Sequence, residues 1–531
     1  MTTSIPDSAA EPVPGRGATD ATPNREPSDS DGAAQPGLEK SAPPRPPRIP
    51  LSRLELIGLV LGALLLTLLH AHFRLPGFGE QDAARLATDA INWHFEHVIY
   101  MEKVDYRLHT SPLYIHALKV ALDHGLRIRS LPFVMNQGSV LLSSVCSVGL
   151  YLVFRRLTTP AVAAAATVIY AFTPAFWLGS VYGMPTVPSL ACWVFSVLAF
   201  AVATDEESIR TRRFASFMAL SAVLAGMAFS LKADMVLSGG ALLLVLLVRS
   251  RLRWVHLLAA GAVLAFGVAC TLLYSHHLAA PATDLATVVP DPSDVHGFLE
   301  KWNSRFPFKW SLLIDPKNNT TITHASGTLL FAVILLALCQ GLVAGGKRAR
   351  FTFGAAAWGL APMLFWGMKS GNSARHNLPA FPPLVLVATL MLFQLCAENV
   401  RKVWILVCVL TLVAQLDETG YGSVNPNIDL LAASHQVEGS SNALHGRARE
   451  FAESPGSKKA IIESEYLQAY TEFEVWAAAR TPSLQTKPRA ALDGQDRETL
   501  IIRVGSARAA KAKAQALSTE GYQVFSAQYR L

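Results

Sequence analysis

Charge is what this chain has least of. Asp, Glu, Lys and Arg together make up 16% of its 531 residues, against roughly a quarter in an ordinary soluble protein. A water-soluble chain of this length needs a charged shell. With 51% hydrophobic residues and a mean hydropathy of +0.31, this one leaves apolar runs too long and too numerous to hide in one core. A cytosolic enzyme, a fibrous protein and a disordered chain are disfavoured, and a mainly α-helical polytopic membrane protein is the default. Cysteine is also thin. Cys146, Cys192, Cys270, Cys339, Cys396 and Cys408 all lie inside apolar runs without Cys-x-x-Cys spacing. That pattern suggests neither a disulfide framework nor a zinc site and reads as small buried apolar residues. The net charge is +7, yet no stripe of Lys and Arg interleaved with aromatics is present for nucleic acid to track. A sequence repeat of fixed period is missing too.

What is present is a polar tail followed by a series of apolar runs. Residues 1–50 are rich in Pro, Ser, Ala, Asp and Gly and cannot bury enough surface to offset their ordering entropy, so they read as a disordered cytoplasmic tail. The first apolar run then reads as an uncleaved anchor rather than a signal peptide. Runs at 54–72, 133–154, 161–180, 185–203, 214–231, 235–248, 254–275, 325–345, 351–368, 378–397 and 403–416 give about eleven spans, each near the ~20 residues a helix needs to cross the hydrocarbon. The stretch 112–127 reads as a re-entrant or interfacial helix. Basic residues fall in every second turn: Arg45, Arg48 and Arg53, then Arg155–Arg156, Arg210, Arg212 and Arg213, Arg249, Arg251 and Arg253, Lys347, Arg348 and Arg350, and Arg401–Lys402. By the positive-inside rule this register puts the N-terminus in the cytoplasm and loops 73–132, 276–324 and 369–377, with everything after 417, on the outer or periplasmic face. Residues 51–416 would form the membrane domain. Within 417–531, strand-like segments at 459–463, 499–504 and 522–529 alternate with helical stretches near 465–480 and 506–519, which implies a small outer α/β domain.

The chemistry-bearing residues crowd the outer edge. Pro76, Gly77 and Gly79 end the first helix, and Glu80 and Asp82 open a new one. Acids in a first turn suit the helix dipole, so capping alone would explain them. Two carboxylates at the bilayer's outer boundary are also where a general base could meet a hydroxyl acceptor while a lipid carrier enters from the membrane. Arg85 lies three residues beyond Asp82, within pairing distance on the same face. Lys232 and Asp234 stand at the outer end of a span, facing a cavity or snorkelling as a pair. Lys369, Arg375 and His376 carry positive charge on the side where cations are disfavoured, and a lipid phosphate would supply the reason, since Arg offers bidentate donors to phosphate oxygens. A short solvated turn closed by Gly371 and Asn372 is the alternative. His94, His97, His109 and His116 lack zinc-helix spacing and read as surface or packing residues. Asn318 and Asn319 head glycosylation sequons that matter only in an endoplasmic reticulum. Trp302, Phe306, Phe308 and Trp310 form an interfacial belt or cover an acceptor.

The order of these pieces resembles the C-type (GT-C) membrane glycosyltransferases, near the protein mannosyltransferase and aminoarabinose transferase branch. An anchor helix is followed by an acidic pair in the first outer loop, Glu80-Gln81-Asp82, then an amphipathic helix, then Ser111, Pro112, Leu113 and Tyr114, then many spans. The acidic motif matches the Glu-x-Asp form rather than the Asp-Glu pair of the protein mannosyltransferases, so either carboxylate can be the base. An Arg-x-x-Leu-Pro segment before a late helix, here Arg375 to Pro379, is also similar. The resemblance implies an inner-membrane enzyme with its active site on the extracytoplasmic face. It would pass a sugar from a polyprenyl-phosphate carrier to a hydroxyl of a lipid, glycan or protein, with inversion. Asp82 or Glu80 would act as base, and Arg375, with Lys369, His376 or Lys232, would hold the donor phosphate. Glu80 and Asp82 offer hard oxygens of the kind Mg or Mn takes, though so many cations make a metal optional. The competing reading is a transporter or flippase for a lipid-linked sugar. A third is a non-catalytic assembly partner that docks through its C-terminal domain.

Overall fold

The structure, a computed structural model, describes residues 51–74, 77–78, 81–96, 111–205, 211–248, 254–279, 308–315, 322–323, 325–369, 374–416, 447, 449–451, 454, 458–463, 473, 499–503 and 507–526. The expected tail at 1–50 and Glu80 lie outside them. Helices α1 (Arg53–His72), α2 (Gln81–Glu96), α3 (Pro112–Asp123), α4 (Leu131–Leu157), α5 (Pro160–Ala171), α6 (Pro174–Val181), α7 (Thr186–Ala203), α8 (Arg212–Leu231), α9 (Gly240–Leu247), α10 (Trp254–Ala279), α11 (Thr328–Val343), α12 (Gly346–Gly367), α13 (Phe381–Leu395) and α14 (Val400–Leu416) follow in chain order.

Among the described residues six helical segments are long and apolar enough to cross a membrane: α1, Ile128–Leu157, α7, α8, Trp254–Tyr274 and Arg375–Leu395. A bent pair, α5 and α6, raises the number to seven if it is one span. The chain is thus a multi-pass membrane protein. Eleven spans were expected, and the difference has local causes. The run expected at 161–180 is broken where Thr173, preceding Pro174, is extended at φ −68, ψ 141, a conformation that the following proline's ring favours over the helical one; the two halves meet at 65°. The run expected at 235–248 begins as a 3-10 turn over Ala233–Gly239, leaving only eight residues for α9. Helix α11 has 16 residues and α14 has 17.

Prolines in the first turns of α4, α5, α6 and α13 sit where a missing N–H costs nothing. Helix α7 and the Arg375–Leu395 segment are the most buried spans, each with 83% of its apolar window buried, whereas α1 is peripheral at 11%. With so little burial, α1 is tied to α4 by polar contacts: Tyr151 and Arg155 both donate to Glu55 Oε1 at 2.9 Å, and Thr67 meets Ser144 at 2.7 Å. One continuous core joins α4, α5, α7, α8, α12 and α13 around Trp193, Phe200, Phe229, Trp358 and Phe381. The cysteines are free thiols, but the expectation that all are buried needs correction. Only Cys146 is buried; Cys192, Cys270 and Cys396 are half-buried, and Cys339 and Cys408 are exposed, on helix faces that apolar neighbours would turn toward lipid.

Beyond the helices, β1 (Lys459–Glu463), β2 (Thr499–Arg503) and β3 (Gln523–Ser526) form a parallel sheet in the order β2-β1-β3. Helix α15 (Ala507–Thr519) makes the crossover from β2 to β3. Strand alternation separates two faces. Ala460 and Ile462 pack on Ala510, Ala514 and Leu517 of α15, while Ile461 joins Phe451 and Phe473 in a core shared with Phe78, α2 and α3. The sheet therefore rests on the loop that carries the acidic motif. The helix expected near 465–480 lies outside the described residues apart from Phe473.

Candidate active site

Asp82 and Arg375 stand 293 positions apart in the chain, yet Nη2 of Arg375 donates directly to Oδ2 of Asp82. The acid's position is set from several sides. Helix α2 is amphipathic, burying Ala83, Leu86, Ala87, Ala90 and Ile91 at helical spacing against Tyr114, Ile115, Leu118 and Leu122 of α3 and the loop. Just before it, Nδ2 of Asn136 donates to the Gly77 carbonyl at 2.8 Å. Phe78 is fully buried and meets Phe473 edge-on at 4.6 Å. Arg85 stands 3.6 Å from the other Asp82 oxygen, the i,i+3 partner expected from the sequence.

The cation is held as firmly. Arg375 lies in a single turn, Ala374–Asn377, followed by a 3-10 turn, Leu378–Ala380, that leads into α13. The Tyr170 hydroxyl donates to the Leu378 carbonyl at 3.1 Å. Leu378 sits so close to α6 that a Cβ on Gly179 would lie 2.8 Å from its Cδ1.

A second cluster begins one residue on. His376 Nδ1 lies 3.2 Å from Asp234 Oδ2, and Lys232 Nζ is 3.5 Å from the same oxygen. Lys232 also donates to Thr186 Oγ1 at 3.2 Å. The imidazole stacks on Trp366 with centroids 3.9 Å apart. Asp234 thereby joins two of the residues expected from the sequence at a donor phosphate, Lys232 and His376.

Lys369 is held differently. It is 1% exposed, pairs through its backbone with Phe308, and carries its Nζ over the rings of Phe308 and Phe365 at 5.2 and 5.9 Å. Burial pushes its pKa below the ordinary lysine value. Trp302 and Phe306 lie outside the described residues. Of the loop histidines, His94 joins Lys119 on Asp123 at 2.6 and 2.5 Å, and these partners, Lys119 foremost, hold the Asp123 carboxyl below the usual carboxylate range. His116 packs between Trp93 and Tyr274. His97 and His109 lie outside the described residues. Asp82 is engaged by two arginines, and among the described residues no three of His, Cys, Asp and Glu converge as a metal group.

Asp234 had a signal in the sequence, two residues from Lys232. Trp366, Asn136 and Phe78 had none, because a stacking ring and an amide that stitches a loop look like ordinary apolar-run residues until the chain is folded.

Part of the chain and most of its fold have known counterparts. The family model for dolichyl-phosphate-mannose-protein mannosyltransferase matches residues 124–275. The crystal structure of ArnT from Cupriavidus metallidurans in the apo state superposes with a TM-score of 0.52 at 13% identity, covering 84% of this chain and 89% of that one. The same enzyme bound to undecaprenyl phosphate gives 0.50 at 14% identity over 83% and 91%. The apo oligosaccharyltransferase of Archaeoglobus fulgidus gives 0.48 at 14% identity over 80% and 64%. A comparison with curated proteins finds no match. The resemblance read from the loop motifs is thus matched in three dimensions: the chain is similar to the C-type membrane glycosyltransferases and has the fold seen in ArnT.

Proposed function

We propose that this protein is a membrane glycosyltransferase that moves a sugar from a polyprenyl-phosphate donor to a hydroxyl acceptor at the outer face of an inner membrane, with inversion. The single observation that carries the reading is the Asp82–Arg375 contact. It joins a carboxylate able to take a proton and a guanidinium able to receive a phosphate, at one end of a helical bundle. Undecaprenyl phosphate bound to ArnT supports a lipid of this class as the donor's carrier.

In this reading the ion pair is the resting state. The donor's phosphate competes for Arg375, whose fork suits two phosphate oxygens, and Lys232, held by Asp234 beside the His376 imidazole, adds positive charge. Asp82 then accepts the acceptor's hydroxyl proton. The hydroxyl oxygen bonds to the anomeric carbon as that carbon's bond to the phosphate oxygen breaks. The electron pair departs with the polyprenyl phosphate, and a single displacement inverts the anomeric centre. Fixed donors aimed at developing phosphate charge commonly contribute about 10²–10³ in rate. Lys369, under its aromatic cover, and Glu80 are assigned to the same site from the sequence.

The topology belongs to the proposal. We take α9, α11, α12 and α14 as membrane segments as well, since the basic turns alternate in the register of about eleven spans. That register places the tail 1–50 in the cytoplasm and 417–531 outside as a small α/β domain. Purified protein in lipid vesicles should convert a polyprenyl-phosphate sugar and an acceptor into free polyprenyl phosphate and a glycoside of opposite anomeric configuration, read by NMR. Retention of configuration would end the single-displacement mechanism. Movement of intact donor across the vesicle without transfer would favour the flippase reading.

A further inference from the structure

A second feature stands at the other end of the bundle. Helix α12 ends beside Lys369, and its 22 residues carry the chain about 33 Å away to a cavity of about 360 Å³ between α9, α11, α12 and α13. Three cations line it, Lys347, Arg348 and Arg350. All three belong to the first turns of α12, where no acidic residue stands. That is the wrong sign for a helix N-terminus, whose unsatisfied N–H groups and dipole already favour anions. The turn that presents them is built for the place, because Gly345 and Gly346 take φ of +67 and +57, a conformation glycine adopts freely. The same lining includes apolar Val387, Leu390, Met391 and Phe351 and two side-chain amides, Gln340 and Gln394.

We infer that this cavity binds an anionic phospholipid from the membrane leaflet opposite the Asp82–Arg375 site, its phosphate among Lys347, Arg348, Arg350 and the two amides, and the start of an acyl chain on Leu390 and Met391. Charge complementarity selects the headgroup. The positive-inside rule accounts for cations in such a turn, but it requires neither a cavity nor the apolar residues that share its lining. The volume is at the small end of ligand pockets, which fits a headgroup with the rest of the lipid left in the bilayer. The inference does not rest on the proposed transferase activity.

The test uses the full-length protein in detergent, with phosphatidylglycerol or phosphatidylcholine added, read by native mass spectrometry. Unmodified protein should retain phosphatidylglycerol about tenfold better than phosphatidylcholine, a preference expected of charge-assisted contacts. The combined variant Lys347→Gln, Arg348→Gln, Arg350→Gln and the plugging variant Leu390→Trp should each reduce that retention about tenfold while eluting as monodisperse protein. Equal retention of the two lipids by unmodified protein would overturn the inference without any variant. So would a plugging variant that keeps phosphatidylglycerol while the charge variant loses it, since that marks a basic surface rather than a pocket. Full displacement by inorganic phosphate would overturn the lipid assignment in favour of the free anion. Should Leu390→Trp fail to fold, Met391→Trp serves as the plug.

Discussion

Replacing Asp82 by asparagine keeps the shape of the side chain and removes its charge, so it separates chemistry from architecture. The pair's own contribution to folding is small. Asp82 is 39% exposed and Arg375 is 23% exposed, and solvent-screened pairs of this kind contribute about 0–1 kcal/mol. Loss of a positioned general base costs about 10²–10⁴ in rate, equivalent to about 3–5 kcal/mol of barrier. Asp82→Asn should therefore lose at least about 100-fold in kcat while its thermal unfolding shifts only slightly. Arg375→Gln should fall by about 10²–10³ through lost phosphate stabilisation, with Arg375→Lys recovering only part, because an ammonium is not a fork. The double variant should be less impaired than the product of the two losses, since groups serving one transition state are not additive. The assay is release of polyprenyl phosphate from the lipid-linked donor, with unfolding followed on the same samples. Turnover within about threefold of the parent in both single variants, against the losses above, would refute the assignment.

Asp234→Asn leaves Lys232 and His376 without their shared carboxylate in a cluster whose side chains are only 14% exposed. It should cost about 1–3 kcal/mol in stability and raise KM for the donor, and equal stability of variant and parent would contradict the cluster's role. The depressed pKa of Lys369 means that it loses its proton at a lower pH than an ordinary lysine. Between the lowered and ordinary values the unfolded chain binds more protons, so stability rises with pH there while attraction for donor phosphate falls. The alkaline limb of kcat/KM should accordingly lie below the ordinary lysine range and move upward in Lys369→Arg; identical limbs would rule Lys369 out as the group. A Cβ on Gly183 would lie 2.5 Å from the Met135 Cβ and 2.8 Å from Asn136 Oδ1, so Gly183→Ala should cost about 1–3 kcal/mol and loosen the Asn136–Gly77 bond, both visible in thermal unfolding and donor KM.

Apolar run length was enough to place nearly every described long helix, because a helix that crosses a membrane must be long and apolar. Where helices break was less legible. The Thr173–Pro174 bend has a proline to announce it, but prolines in the first turns of α4 and α13 break nothing and Pro362 lies inside α12 without ending it, so a proline alone does not locate a break. At the site, Asp82, Arg375, Lys232 and His376 were singled out as ionisable groups in expensive places. Their arrangement into two clusters was not readable, since it depends on Asp234, which a snorkelling pair with Lys232 would equally have explained, and on Trp366, which resembles any aromatic of an apolar run. The burial of Lys369 under Phe308 and Phe365 was equally hidden, as the three residues come from different segments.

The 293 positions that separate the acid from its guanidinium also set a schedule for biosynthesis. A nascent chain emerging from the ribosome carries the acid early and acquires the matching cation only after most of the bundle has been inserted. Until then no fragment holds both halves of the proposed site, so a product truncated before Arg375 should be inactive in the polyprenyl-phosphate release assay.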